Sequence, residues 1–365
     1  MKKFIQKDLL STQPLKCVVV GASGYAGAQL VSLIGQHPLL KLVGLAVSES
    51  SEYLNVQFKD VYPEYALGDT SQVDDKFHAY SELVGQEKWK SVDVVFLATP
   101  HEWSAAHVPE ILAQNKVVID LSGAFRLKCP ETFQSFYQFP HPGTDFNSVM
   151  HYGLPELRGV NLAGVAGVAV AGCYPTAAIL SIAPLAELGL IAGPPVINAV
   201  SGVSGAGRKS TIKNSFCEVS LQAYGIDQHR HSPEIEQALD HDVIFTPHLG
   251  NYKRGILSTS VVPVKHQVTQ QWLEDEYQSY YSQAPLVDVV TESPRLQDVV
   301  HTPKIRVFPN AIKNGHFVEV VSVIDNLMKG AASSAIQCLN LQQNWPIQLG
   351  LIPQNLIAMH LEEVA

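Results

Sequence analysis

The chain has 365 residues, 46 % of them apolar and only 16 % charged, which supplies a large buried core and excludes a disordered, highly solvated protein. Division by roughly 150 residues per domain predicts about two domains. Twenty-five Lys and Arg against 34 Asp and Glu give a formal charge of −9 with no basic run, so no electrostatic ground exists for holding nucleic acid or an anionic membrane.

No apolar stretch is long enough for a transmembrane helix. The N-terminal MKKFIQKDLLSTQPLK lacks the apolar run of a signal peptide and reads as a short tail before the first strand. The five cysteines are scattered and never form a C-x-x-C pair, as expected of a reduced, cytoplasmic protein with no disulfide framework and no metal site. Cys17, Cys129, Cys217 and Cys338 read as structural, leaving Cys173 for chemistry.

The first half alternates short apolar runs with helical stretches. Lys16–Val20, Leu42–Val47, Val92–Ala98 and Val117–Leu121 have the length and composition of buried parallel strands. Gly27–Gly35 places Leu30, Leu33 and Ile34 on one helical face. This alternation predicts an α/β, doubly wound parallel sheet with a ligand crevice at the strand C-termini. From about Cys173 the texture changes. A helix over Tyr174–Leu188, broken or kinked near Pro184, is followed by strands at Val196–Val200, Ile256–Val262 and Phe317–Ile324, which predicts an antiparallel α+β domain. Lys329–Gln342 reads as a helix.

Gly21-Ala-Ser23-Gly24-Tyr25-Ala-Gly27 follows the first strand and opens a helix. Glycines there allow a tight turn and a close approach to a pyrophosphate, whose charge the helix N-terminus favours. The same spacing also occurs in ordinary Gly-rich turns. After the second strand, Ser48 and its neighbouring serines could bond a phosphate, whereas Glu49 would repel one. With no Arg in this loop, the local chemistry leans towards NAD.

Gly172-Cys173-Tyr174-Pro175 sets Cys173 at a helix start, where free N–H groups favour the thiolate and lower its pKa. A thiolate at the mouth of a nucleotide crevice suits acyl transfer followed by hydride transfer. His229-Arg230-His231-Ser-Pro-Glu234 offers an acid/base partner and a cation for an anionic substrate. His101 and His107 do not have the spacing of a zinc-protease motif. Arg126, after the Val117–Leu121 run, is either a carboxylate or phosphate clamp or a surface residue. Ser201-Gly202-Val-Ser-Gly-Ala-Gly-Arg208 is either a flexible turn or a backbone cradle.

Together GASGYAG (21–27), YGLPE (152–156), GCYPTAA (172–178), SGVSGAGR (201–208), HRHSPEIEQ (229–237), the 245–257 region and DNLMKGAA (325–332) resemble the N-acetyl-γ-glutamyl-phosphate reductase family, relatives of aspartate-semialdehyde dehydrogenase. The resemblance implies a Rossmann domain over 14–172 with 330–365, and a substrate-binding and oligomerisation domain over 173–329. It implies NADPH as hydride donor, a homo-oligomer, and reduction of N-acetyl-L-glutamyl 5-phosphate through a cysteine thioester in arginine biosynthesis. Cys173 matches the nucleophile, and His231 or His229 the acid/base, with His231 slightly ahead. Arg126, Arg208, Arg230 and Glu234 fall in matched segments and are expected to place substrate. Gly21, Ser23, Gly24, Tyr25, Gly27, Ser48, Ser201 and Gly202 are expected to hold the cofactor, with NAD as the alternative. Val170-Ala171 stand where the family has Asn-Pro, Ala124 where it has an acidic residue, and Glu49 where Arg is common. The rival readings are a relative acting on aspartyl or aminoadipyl phosphate and a non-catalytic nucleotide sensor.

Overall fold

The computed structural model describes residues 13–65 and 75–353, so most of the N-terminal tail lies outside the described residues. Strands β1 (Leu15–Val20), β2 (Leu40–Val47), β3 (Phe77–Ala79), β4 (Val94–Leu97), β5 (Val117–Asp120), β6 (Met150–Gly153) and β7 (Gly167–Val170) form one sheet in the order β3-β2-β1-β4-β5-β7-β6. Every pairing in it is parallel. Helices cover both faces, so the VVV, VVFL and GVAV runs are buried throughout instead of alternating. The order reverses between β1 and β4, and the crevice opens beyond their C-terminal ends. Helix α1 (Tyr25–Gln36) begins there, and α2 (His101–Leu112) follows β4.

Helix α3 (Cys173–Glu187) starts three residues after β7 and is buried along almost its whole length. It packs on a second sheet made of β8 (Val196–Gly202), β9 (Gln222–Ala223), β10 (Ile244–Gly250), β11 (Ile256–Pro263), β12 (Val287–Val289), β13 (Ile305–Ile312) and β14 (Phe317–Ile324). Residues 173–187 form one continuous helix, so of the break or kink expected near Pro184 the break does not occur. The carbonyl that Pro184 cannot serve, on Leu180, accepts the Tyr281 hydroxyl instead, so the missing N–H leaves no orphan. The second sheet is mixed, not antiparallel. β8 runs parallel to β10 because the residues between them, including α4 (Ser232–Leu239), act as a crossover, and β12 runs parallel to β13; α5 (Gln270–Tyr280) stands between β11 and β12.

Along β11 burial alternates strictly, with one face on α3 and the other partly exposed. The final segment contains a π turn, Met328–Ala332, before α6 (Ser333–Gln342). Met328, Ala332, Ile336 and Leu339 pack in the core of the first sheet with Cys17, Val31 and Val168. A buried ion pair ties the two sheets together. Arg254 donates Nε to Asp325 at 2.6 Å and Nη2 to Gln29 of α1 at 2.7 Å. Cys17 and Cys338 are core residues as expected, whereas Cys129 and Cys217 are exposed.

Candidate active site

The nucleotide crevice is shaped by glycines at two contacts. Gly21 has φ +81°, and a Cβ there would lie 2.3 Å from the carbonyl oxygen of Ala98, the residue after β4. A Cβ on Gly27 would lie 2.2 Å from the Gly21 oxygen. Any side chain at either point would push α1 off the sheet. No side chain caps α1 at Gly24, which leaves the N–H groups of its first turn for a ligand's phosphates. Gly21, Ser23, Gly24, Tyr25 and Gly27 therefore lie together, and this uncapped, close-packed turn fits a dinucleotide. Ser48 lies exposed after β2. Glu49 is turned towards the next helix, where its carboxylate accepts the Ser81 N–H at 3.4 Å, and its own backbone N–H chiefly holds its pKa down.

Cys173 is the first residue of α3 and is partly exposed. The backbone before it is pinned without any side chain at 170 or 171. Ala171 N–H bonds Gly153 O at 3.0 Å, Arg126 Nε bonds Val170 O at 2.8 Å, and Gly172 N–H bonds Glu234 Oε1 at 2.8 Å. On the other side, a Cβ on Gly330 of the π turn would come within 2.8 Å of Cys173 Cβ. The lowered pKa expected at a helix start is not found. Burial pushes the thiol up, outweighing the Tyr174 N–H and the charges of Arg126 and Arg230.

His229 and His231 lie on the approach to α4, their ring centroids 4.7 Å apart and both against Tyr174. His231 is buried, and a Cβ on Gly172 would fall 2.7 Å from its Nε2 and 2.8 Å from Arg126 Nη1. Glycine at 172 thus lets an imidazole and a guanidinium close on the residue before the thiol. Burial, helped by Arg230, lowers His229 to about 4 and His231 well below its usual range, so both rings are neutral. The Nδ1 of His231 is buried with no hydrogen-bond partner among the described residues.

The residues expected to place substrate and cofactor have these surroundings. Glu234 is fully buried, and its oxygens are taken by Arg126 Nη1 at 3.2 Å, Tyr152 OH at 2.9 Å and the Gly172 N–H, so it braces the site and has no exposed oxygen for substrate. Arg126 is likewise buried, with Nε on Val170 O at 2.8 Å and Nη2 on Leu121 O at 2.7 Å. Arg208 stands apart from the thiol group, against the glycine-rich turn, with Nη1 on Ser23 O at 3.1 Å. Ser201 and Gly202 are buried in β8, where Gly202 N–H already bonds Gly255 O at 2.9 Å. Arg230, by contrast, is exposed and has no ion pair among the described residues.

His101 was read only as a failed metal ligand. It heads α2, its Nδ1 accepts the Gly123 N–H at 2.8 Å, and burial with Arg230 and Arg126 lowers it to about 3. Its place just past β4, at the crevice, was the available signal. Lys329, fully buried on Glu156 and Gln337, carried no signal, because nothing local distinguishes it from a surface lysine.

Residues 16–164 match the family described as semialdehyde dehydrogenase, NAD binding domain, and 173–326 that described as semialdehyde dehydrogenase, dimerisation domain. The N-acetyl-gamma-glutamyl-phosphate reductase of Alteromonas mediterranea is 46 % identical over 92 % of this chain and 98 % of its own. That of Aeromonas salmonicida is 43 % identical over 93 % of this chain and 100 % of its own. The fold is also that of aspartate semialdehyde dehydrogenase II from Vibrio cholerae, at TM-score 0.64 and 15 % identity over 90 % of this chain and 98 % of that one. The Candida albicans enzyme solved with NADP gives 0.63 at 14 % identity over 91 % and 99 %. With both halves matched and identity sustained along nearly its full length, the chain belongs to the N-acetyl-γ-glutamyl-phosphate reductase family of the semialdehyde dehydrogenase group.

Proposed function

We propose that the chain is an oxidoreductase that reduces N-acetyl-L-glutamyl 5-phosphate to N-acetyl-L-glutamate 5-semialdehyde and phosphate, an arginine-biosynthetic step, with NADPH. The observation that carries this reading is the seating of one partly exposed cysteine at the start of α3, its neighbours Gly172 and Tyr174 in contact with His231 and His229 and the charge of the exposed Arg230 acting on it. NADPH, held by the 21–27 turn, supplies the hydride when bound.

Cys173 Sγ attacks the acyl carbon, and its proton passes to a neutral imidazole, for which His231 stays ahead of His229. The C–O bond to phosphate breaks, leaving a thioester, while Arg230 draws the departing phosphate. After reduction, the imidazolium returns its proton to the carbonyl-derived oxygen. That proton then leaves again as the C–S bond breaks, and the aldehyde and the thiol are regenerated. Because burial keeps Cys173 protonated, the histidine must act as a base before attack and not merely as an acid afterwards. Glu234 and Arg126 hold the backbone at 170–172 in place for this step.

A second copy of the chain is the partner. Ile244, Val196 and Val261 lie side by side across β10, β8 and β11 on the face turned away from α3. Ile244 and Val196 are 55 % and 38 % exposed, an apolar surface suited to a self-complementary interface. Among the described residues no helix is long and apolar enough to cross a membrane, and the cytoplasm is the proposed location.

The test is phosphate-dependent oxidation of N-acetylglutamate semialdehyde, with NADP and NAD run in parallel and the aspartate and aminoadipate semialdehydes as competitors. Cys173→Ser should abolish turnover and retain cofactor binding. Full activity in that variant disposes of the thioester route, and binding without turnover in the parent chain supports a sensor.

A further inference from the structure

The loop after β2, where a doubly wound fold receives the adenosine ribose, contains no arginine between Ser48 and Tyr53. A guanidinium reaches that place from elsewhere. Arg208, in the loop after β8, follows Gly207 with φ +82°, a turn that favours glycine. Its guanidinium carbon lies 4.4 Å from the ring centre of Tyr53 and 4.8 Å from that of Tyr62. Nη1 donates to the Ser23 carbonyl at 3.1 Å, and the Tyr62 hydroxyl donates to the same oxygen at 2.7 Å.

We propose that Arg208 binds the phosphate on the 2′-carbon of the adenosine ribose of NADPH and so sets the preference for NADPH over NADH. The inference rests on the reading of this chain as a nicotinamide-dependent reductase. Arg208 has no ion pair among the described residues, and of its five donor hydrogens one is committed to Ser23. Both tyrosine rings lie within cation–π distance of the guanidinium, and a guanidinium held by rings in this way can grip a phosphate along its edge with two parallel hydrogen bonds. The carboxylate that would oppose a phosphate, Glu49, is drawn to Ser81 N–H instead. Because Arg208 comes from the second sheet while Ser23, Tyr53 and Tyr62 come from the first, the phosphate also bridges the two sheets.

Calorimetric titration of the full chain with 2′,5′-ADP and with 5′-AMP separates the 2′-phosphate from the rest of the nucleotide. The parent chain should bind 2′,5′-ADP more tightly. Arg208→Gln should lose between about tenfold and about 100-fold in affinity for 2′,5′-ADP, the range of a charge-assisted hydrogen bond, and keep its affinity for 5′-AMP. Arg208→Lys, which retains the charge but not the fork, should fall between them. Unchanged 2′,5′-ADP affinity in Arg208→Gln overturns the proposal. An equal loss of both probes also overturns it, showing a latch between loops or a contact with another phosphate. If the parent chain binds neither probe, the nicotinamide reading itself fails, a result distinct from either of these.

Discussion

Replacing Glu234 by Ala isolates what the buried brace behind the nucleophile contributes. The carboxylate is 0 % exposed, and it faces Arg126 Nη1 at 3.2 Å, Tyr152 OH at 2.9 Å and Gly172 N–H at 2.8 Å. Its removal strands a guanidinium that is itself 6 % exposed, and breaking a buried pair in this way costs about 3–5 kcal/mol. The orphaned Gly172 N–H adds on the order of 1–3 kcal/mol if no water reaches it. At about 2 °C per kcal/mol for a chain of this size, the pair alone lowers the Tm by about 6–10 °C. Differential scanning fluorimetry and urea titration at one pH measure this directly. Arg126→Met combined with Glu234→Leu removes both charges, and should recover more than half of the loss, because the dominant penalty is the unpaired charge and not the missing contact. A loss below about 1 kcal/mol in the single variant refutes the reasoning. So does a double variant as unstable as the sum of its parts.

Two further outcomes follow from the geometry around Cys173. Burial raises the thiol, so the reactive anion is scarce at neutral pH, and iodoacetamide alkylation of the ligand-free enzyme should keep accelerating as the pH rises past about 9. A plateau reached below pH 8, monitored by mass spectrometry of the 173 peptide, contradicts this. Gly330→Ala forces a methyl to within 2.8 Å of Cys173 Cβ. Overpacking of this kind costs about 1–3 kcal/mol, and it should lower kcat by displacing the sulfur while NADPH binding is unchanged. Equal kcat in the two proteins removes Gly330 from the positioning of the nucleophile.

Strands, the Gly-rich turn and the helix opening at Cys173 were legible in the residues because each is specified locally. An apolar run of four to eight residues buries itself as a parallel strand wherever it falls, and glycine spacing shapes a βα turn through nearest-neighbour sterics. The parallel pairing of β8 with β10 was not legible, since strand direction depends on the crossover between them and not on the alternation within either strand. Side-chain roles were the least accessible. HRHSPE placed Glu234 near the site, but its partners Arg126, 108 positions away, and Gly172, 62 away, could not be read from that motif. Arg208 shares a segment with Ser201 and Gly202, yet it meets Ser23 across 185 positions. The protonation of Cys173 changed direction for the same reason. A helix start favours the anion by short-range dipoles that can be read from the chain, whereas desolvation is set by everything packed around the sulfur, including a π turn more than 150 residues later. Backbone geometry is decided by neighbours along the chain, and the charge state and partners of a buried group by neighbours in space.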